Sequence, residues 1–205
     1  MTATALRRAI GRAAARRSEP VERCGLCSVV VADEHRHLLD DVDGGVLCVC
    51  QACTLLFDRD GTGRYLLIPR ERTRLVDVAV DELDVPVGLA FFVKQTSGMV
   101  LAHYPSPLGT TQSQVDPDAW RAAEQGSPLL ASMKPRVEAY LVRVSATGHA
   151  EHWIVPLDDC FRLVAVIRQN WTGMAGGSAV WREVARFFAE LNIENRQEEQ
   201  WQVSG

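Results

Sequence analysis

Residues 24–53 read CGLCSVVVADEHRHLLDDVDGGVLCVCQAC, and the rest of the chain is read outward from them. The stretch holds Cys24, Cys27, Cys48, Cys50, Cys53, His35 and His37, five of the six cysteines and two of the five histidines. Cys24-x-x-Cys27 and Cys50-x-x-Cys53 have the spacing of metal knuckles, in which a tight turn aims two sulfurs at one ion. Thiolates are soft ligands and suit zinc or iron-sulfur clusters rather than magnesium or calcium.

The segments between the knuckles predict a fold. Gly25 is expected to take the positive φ that the first knuckle needs. His35–Asp40 and Val46–Cys50 flank Asp41-Val42-Asp43-Gly44-Gly45, which reads as the loop of an antiparallel hairpin. Side chains at i and i+2 share a strand face, so His35 and His37 point together, as do Cys48 and Cys50, and the hairpin is expected to bring both pairs to one site. The apolar residues after Cys53 predict a helical turn with the second knuckle at its N-terminus, where thiolate charge is favoured. Knuckle, hairpin, knuckle and helical turn make a treble-clef or zinc-ribbon layout.

A tetrahedral ion needs four ligands and seven candidates are present: Cys24, Cys27, Cys50, Cys53, Cys48, His35 and His37. The surplus admits a mixed site, and two cysteines with two histidines are the ligands of a Rieske-type [2Fe-2S] centre, although the Rieske spacing is absent. The histidines also read as a surface pair or as donors to sulfur.

The chain has 205 residues, 47% hydrophobic and 23% charged, enough for one sizeable core with a small appended module. Its net charge is −4, yet Arg7, Arg8, Arg12, Arg16 and Arg17 stand in an acid-free N-terminal stretch, leaving about −9 for the rest. That body is not expected to bind nucleic acid. The basic stretch reads as a flexible tail over 1–20, with peripheral contact to an anionic surface or partner as its functional reading. No secretion signal or membrane-spanning run is recognised, so a cytoplasmic location is expected, where clustered thiols mean metal or redox chemistry more often than disulfides.

Beyond a metal-binding module at 21–60, an α+β body is expected over 61–193 and a frayed polar tail over 194–205. Asp58–Gly63 reads as a turn, and Arg64–Pro69 as a strand leaving the module. Residues 87–104 read as a hairpin, its first strand the apolar run LAFFV, and Pro105–Gly109 as a rigid loop. Asp116-Pro117 and Ser127-Pro128 open two helices by N-cap and N1 proline. Val137–Val144 and Glu151–Val155 pair as strands about Gly148, and Pro156-Leu157-Asp158 opens a helix ending near Gln169. Gly173, Gly176 and Gly177 mark a corner before a last helix, Ser178–Asn192, whose Val180, Val184, Phe187 and Leu191 recur at core spacing. The fold class is therefore α+β: a metal module on an antiparallel sheet with C-terminal helices.

No catalytic set is read. Cys160 with His149 or His152 lacks an oxyanion element or an orienting acid, and Cys160 falls in an apolar helix as a structural thiol. His103-Tyr104-Pro105 is the one polar-aromatic loop that could line a pocket. No P-loop or dinucleotide-binding glycine pattern occurs.

The segments CGLC, EHRHLLD, LCVCQACTLLFD, PVGLAFFV, YPSP, EHWIVPLDDCFRLV and VWREVARFFAEL resemble a bacterial domain-of-unknown-function family encoded beside uptake [NiFe] hydrogenases, over residues 22–192. The resemblance implies an accessory protein of hydrogen oxidation, with hydrogenase subunits or other redox proteins as partners. Two functions are thus expected. One is an iron-sulfur electron carrier passing electrons from a hydrogenase to a later acceptor; the other is a zinc-stapled assembly or docking protein with no redox or catalytic activity.

Overall fold

The computed structural model describes residues 21–57, 63–76, 78, 83, 85, 88–145, 147–172 and 177–203, with side chains as far as residue 193. The basic tail, the expected turn after Asp58 and the corner at 173–176 lie outside the described residues. The chain forms two compact units, one through Leu67 and one from Ile68.

The first unit is a three-stranded antiparallel sheet of order β2-β1-β3, built from β1 (Arg36–Asp40), β2 (Val46–Val49) and β3 (Tyr65–Leu67), with a one-turn helix α1 (Gln51–Thr54) following β2. The Asp/Gly-rich loop turns β1 into β2: Gly44 takes φ +68°, and the Asp40 carboxylate accepts from the backbone N–H groups of Val42 and Asp43 at 3.1 and 3.4 Å. Arg64 donates to the same carboxylate through Nε and Nη2, at 3.0 and 2.7 Å, and so ties the start of β3 to the hairpin turn. The strand expected to leave the module therefore joins its sheet, with Leu38 opposite Leu67. Cys24, Val31, Leu38 and Val49 form the small buried core, against which Cys48, Cys50, Cys53, Phe57 and Tyr65 pack.

The second unit is a six-stranded antiparallel sheet of order β4-β9-β8-β5-β6-β7. Its strands are β4 (Thr73–Leu75), β5 (Leu89–Lys94), β6 (Val100–Ser106), β7 (Gly109–Gln114), β8 (Glu138–Val144) and β9 (Ala150–Pro156). The helices are α2 (Pro117–Gly126), α3 (Pro128–Ala131), α4 (Leu157–Asn170) and α5 (Gly177–Val203). Strand β5 is buried along Leu89–Val93 because helices cover both sheet faces, which explains its unbroken apolar run. On one face Ala90, Phe92, Tyr140, Val142 and Ile154 meet Trp120, Ala123 and Leu130 from α2 and α3. On the other, α4 packs on β6, β8 and β9 and against α5.

Two caps match those read in the sequence, and an N-cap expected at Asp158 does not. Asp116 accepts from the N–H groups of Asp118 and Ala119 ahead of Pro117, and Ser127 caps α3. Asp158 and Asp159 lie in the first turn of α4, whose cap residue Pro156 has no side-chain hydrogen bond; Asp159 pairs instead with Arg72 at 2.6 Å.

Three other expectations are corrected. Pro105 and Ser106 lie in β6, paired with Thr110 and Gly109, so the rigid loop is a tight hairpin turn. Helix α5 continues to Val203 and replaces most of the expected frayed tail. Positive φ in the first knuckle belongs to Ser28 (φ 62°), not Gly25; Gly25 serves by close approach, since a Cβ there would stand 3.2 Å from Leu47 Cδ2. Among the described residues no helix is long and apolar enough to cross a membrane.

Candidate metal centre

The first knuckle is a backbone construction. Cys24 N–H donates to Val29 O and Ser28 N–H to Cys24 O, each at 2.8 Å, folding the loop so that the sulfurs of buried Cys24 and exposed Cys27 come together. Gly25 N–H donates to Cys48 O at 2.8 Å and docks the knuckle onto β2. The second knuckle comes from the end of that strand: pairing stops at Val49, and Cys50 becomes the cap of α1, its sulfur accepting from Cys53 N–H at 3.5 Å.

These two constructions converge. The sulfurs of Cys24, Cys27, Cys50 and Cys53 all lie within 4.8 Å of one another, and Cys27 Sγ stands 3.7 Å from Cys50 Sγ. Four thiolates about one zinc at the usual bond length have S···S edges of about 3.8 Å, so the donor set fits a single tetrahedral ion. None of the four is in a disulfide.

The thiols also show what an ion would resolve. Burial raises the Cys24 thiol, but hydrogen bonds from the backbone at Cys50, Cys27 and Leu26 outweigh it and hold it at about 6. Cys53 goes the other way, to about 12, through its hydrogen bond with the Cys50 thiol and then through burial. Four adjacent sulfurs cannot all carry charge alone, because each thiolate disfavours the next. A divalent cation removes that conflict by binding all four as thiolates.

A second group stands beside the first. The donor atoms of His35, His37 and Cys48 lie within 4.8 Å of one another. His37 and Cys48 are cross-strand partners, and the two imidazoles meet edge to face with centroids 4.7 Å apart. Burial, then the charge of Glu22, raises the Cys48 thiol. The Cys/His pattern does not flag Glu22, yet its Oε2 lies 3.6 Å from His35 Nε2; its position two residues before Cys24 was the only signal.

The seven candidates therefore fall into groups of four and three rather than one mixed set. The physical reason is that alternation ends with the strand: Cys48 keeps the face it shares with His37, while Cys50 turns away into the helix cap and joins the knuckle cysteines.

The other Cys and His residues read in the sequence lie in the second unit. Cys160 is fully buried and burial pushes its thiol upward. His149 is exposed, whereas His152 is buried with Nδ1 2.9 Å from the Tyr140 hydroxyl. His103 lies on β6 stacked on Phe91, and burial takes its imidazole down to about 4. It is a packed aromatic, not part of a pocket loop.

The model of a family of unknown function, DUF5947, matches residues 23–195. No curated protein and no solved structure matches the chain.

Proposed function

The chain belongs to DUF5947, a family of unknown function, and from that premise we propose that its first unit is a zinc-stapled docking module of an accessory protein without catalytic activity. The observation that carries this reading is the mutual approach of the four cysteine sulfurs to within 4.8 Å. A multi-iron cluster interposes its sulfide-bridged core between thiolates on different irons, so it asks for wider separations than one ion does. Four thiolates without an open position are the ligand set of structural zinc.

Docking is supported by the apolar residues next to each knuckle. Val29 and Val30 come directly after the first and are about half exposed, while Leu55 and Leu56 come after the second and are 70% and 74% exposed. Apolar side chains left in solvent beside a rigid site suit a protein partner. The resemblance to a family encoded beside uptake [NiFe] hydrogenases makes a hydrogenase subunit the partner to test.

The electron-carrier reading survives in one form, a single iron on the same four thiolates, which is favoured by the solvent exposure of Cys27. Metal analysis with a visible spectrum of anaerobically purified protein separates the two. The expected result is zinc, no iron, no acid-labile sulfide and no colour bleached by dithionite, with the ion lost in Cys50→Ser. Iron with sulfide would overturn the single-ion reading, and a coloured protein with one iron and no sulfide would make it an electron carrier.

A further inference from the structure

We propose that His35, His37 and Cys48 hold a second transition-metal ion, separate from the four-thiolate centre, with the Glu22 carboxylate as an exchangeable fourth ligand. The side chain of His35 is only 8% exposed, and its Nδ1 stands 2.8 Å from the carbonyl oxygen of Ala32. A carbonyl can only accept, so Nδ1 carries the proton, and in the neutral imidazole Nε2 is left with its lone pair. That Nε2 is buried and makes no hydrogen bond. A buried acceptor without a donor is costly, whereas an imidazole fixed through a Nδ1–H···O=C bond and presenting a bare Nε2 is the arrangement of a metal-ligating histidine.

The other donors stand close to His35. His37 and Cys48 are locked opposite each other by the strand register, and their donor atoms lie within 4.8 Å of a ring nitrogen of His35. Glu22 reaches the same place, 3.6 Å from Nε2, with a side chain 62% exposed. Three fixed donors and one solvent-facing carboxylate differ in kind from the closed four-thiolate set. Sites with three protein ligands leave the fourth position to water or substrate, and here Glu22 can yield it. Two imidazoles, a thiolate and a carboxylate suit zinc or cobalt and exclude magnesium and calcium.

The second site does not depend on which metal fills the four-thiolate centre. The first test is zinc content after full-length protein is equilibrated with excess Zn²⁺ and freed of unbound metal. The expected result is two ions per chain in the wild type and one in His37→Ala/Cys48→Ser. Equal zinc contents in the wild type and the double variant would overturn it. Should the double variant not fold, a Co²⁺ titration of the wild type decides. A second equivalent should bind and add about a quarter of the thiolate-to-cobalt absorbance of a four-thiolate ion, since it has one sulfur ligand instead of four. Saturation at one equivalent with the full four-thiolate absorbance, or a second one without thiolate absorbance, refutes the site. If the four-thiolate reading alone is wrong, the single-thiolate cobalt signal remains while the stronger one is missing.

Discussion

Leu38→Ala should weaken zinc binding although Leu38 has no atom to offer a metal. Its side chain is fully buried, with Leu47 and Leu67 opposite it on the two neighbouring strands, and it shares the module's small core with Cys24, Val31 and Val49. Truncating such a leucine costs about 2–5 kcal/mol, the larger figures where the surroundings cannot collapse. The fully buried part of that core has four residues, so Leu38 is a large share of it. If the apo module is unfolded, metal-binding free energy is folding free energy, so the loss appears in the zinc dissociation constant. At 1.4 kcal/mol per tenfold, the expected weakening lies between about 30-fold and about 4,000-fold. Competition against a chromophoric chelator measures it, with Phe92→Ala in the second unit as the control expected to leave zinc affinity unchanged. A Leu38→Ala protein with wild-type zinc affinity but a lowered unfolding midpoint would refute the reasoning, because the module would then fold before it binds.

Three further outcomes rest on the geometry. Arg64 holds the Asp40 carboxyl at about 2, below the ordinary value of about 4. Because the folded value is depressed, the pair's stabilisation is complete above pH 4 and is lost as pH falls through 2, so the stability gap between wild type and Arg64→Ala should be full at pH 6 and close near pH 2 in denaturant titrations. Gly88→Ala should lower the thermal midpoint: the left-handed φ of +68° costs alanine about 1–2 kcal/mol, and its Cβ would stand 2.8 Å from Val144 O; an unchanged midpoint would rule the strain out. Tyr140→Phe removes the hydroxyl that meets His152 Nδ1 in the core and should cost about 1–3 kcal/mol in urea unfolding. A neutral effect there would mean that another group satisfies the imidazole.

Local chemistry made much of this legible in the sequence. Asp116-Pro117 and Ser127-Pro128 announce their helices because the cap and the missing N–H are properties of those residues alone. The run from Leu89 to Val93 announces a strand buried on both faces. Strand β7 escaped because GTTQSQ lies at the sheet edge, where no apolar alternation is required. The C-terminal half of α5 escaped for a similar reason, its polar residues carrying no core stripe to reveal a helix. The division of the seven metal candidates needed tertiary information, since spacing cannot say where β2 stops, and that stop decides which way Cys50 faces.

Val49 is the residue at that stop, fully buried between one cysteine in the strand and another at the helix cap. Two positions of backbone join Cys48 to Cys50, so an ion that immobilises Cys50 also immobilises the end of β2. If both centres fill, they would fill in order. The four-thiolate ion would bear the entropy of ordering the hairpin, about 1–2 kcal/mol for each residue fixed, and the second ion would find its ligands already aligned. Release would run in reverse: a mild chelator should empty the exchangeable site while the hairpin stands, and only a strong one should take the staple and the fold together.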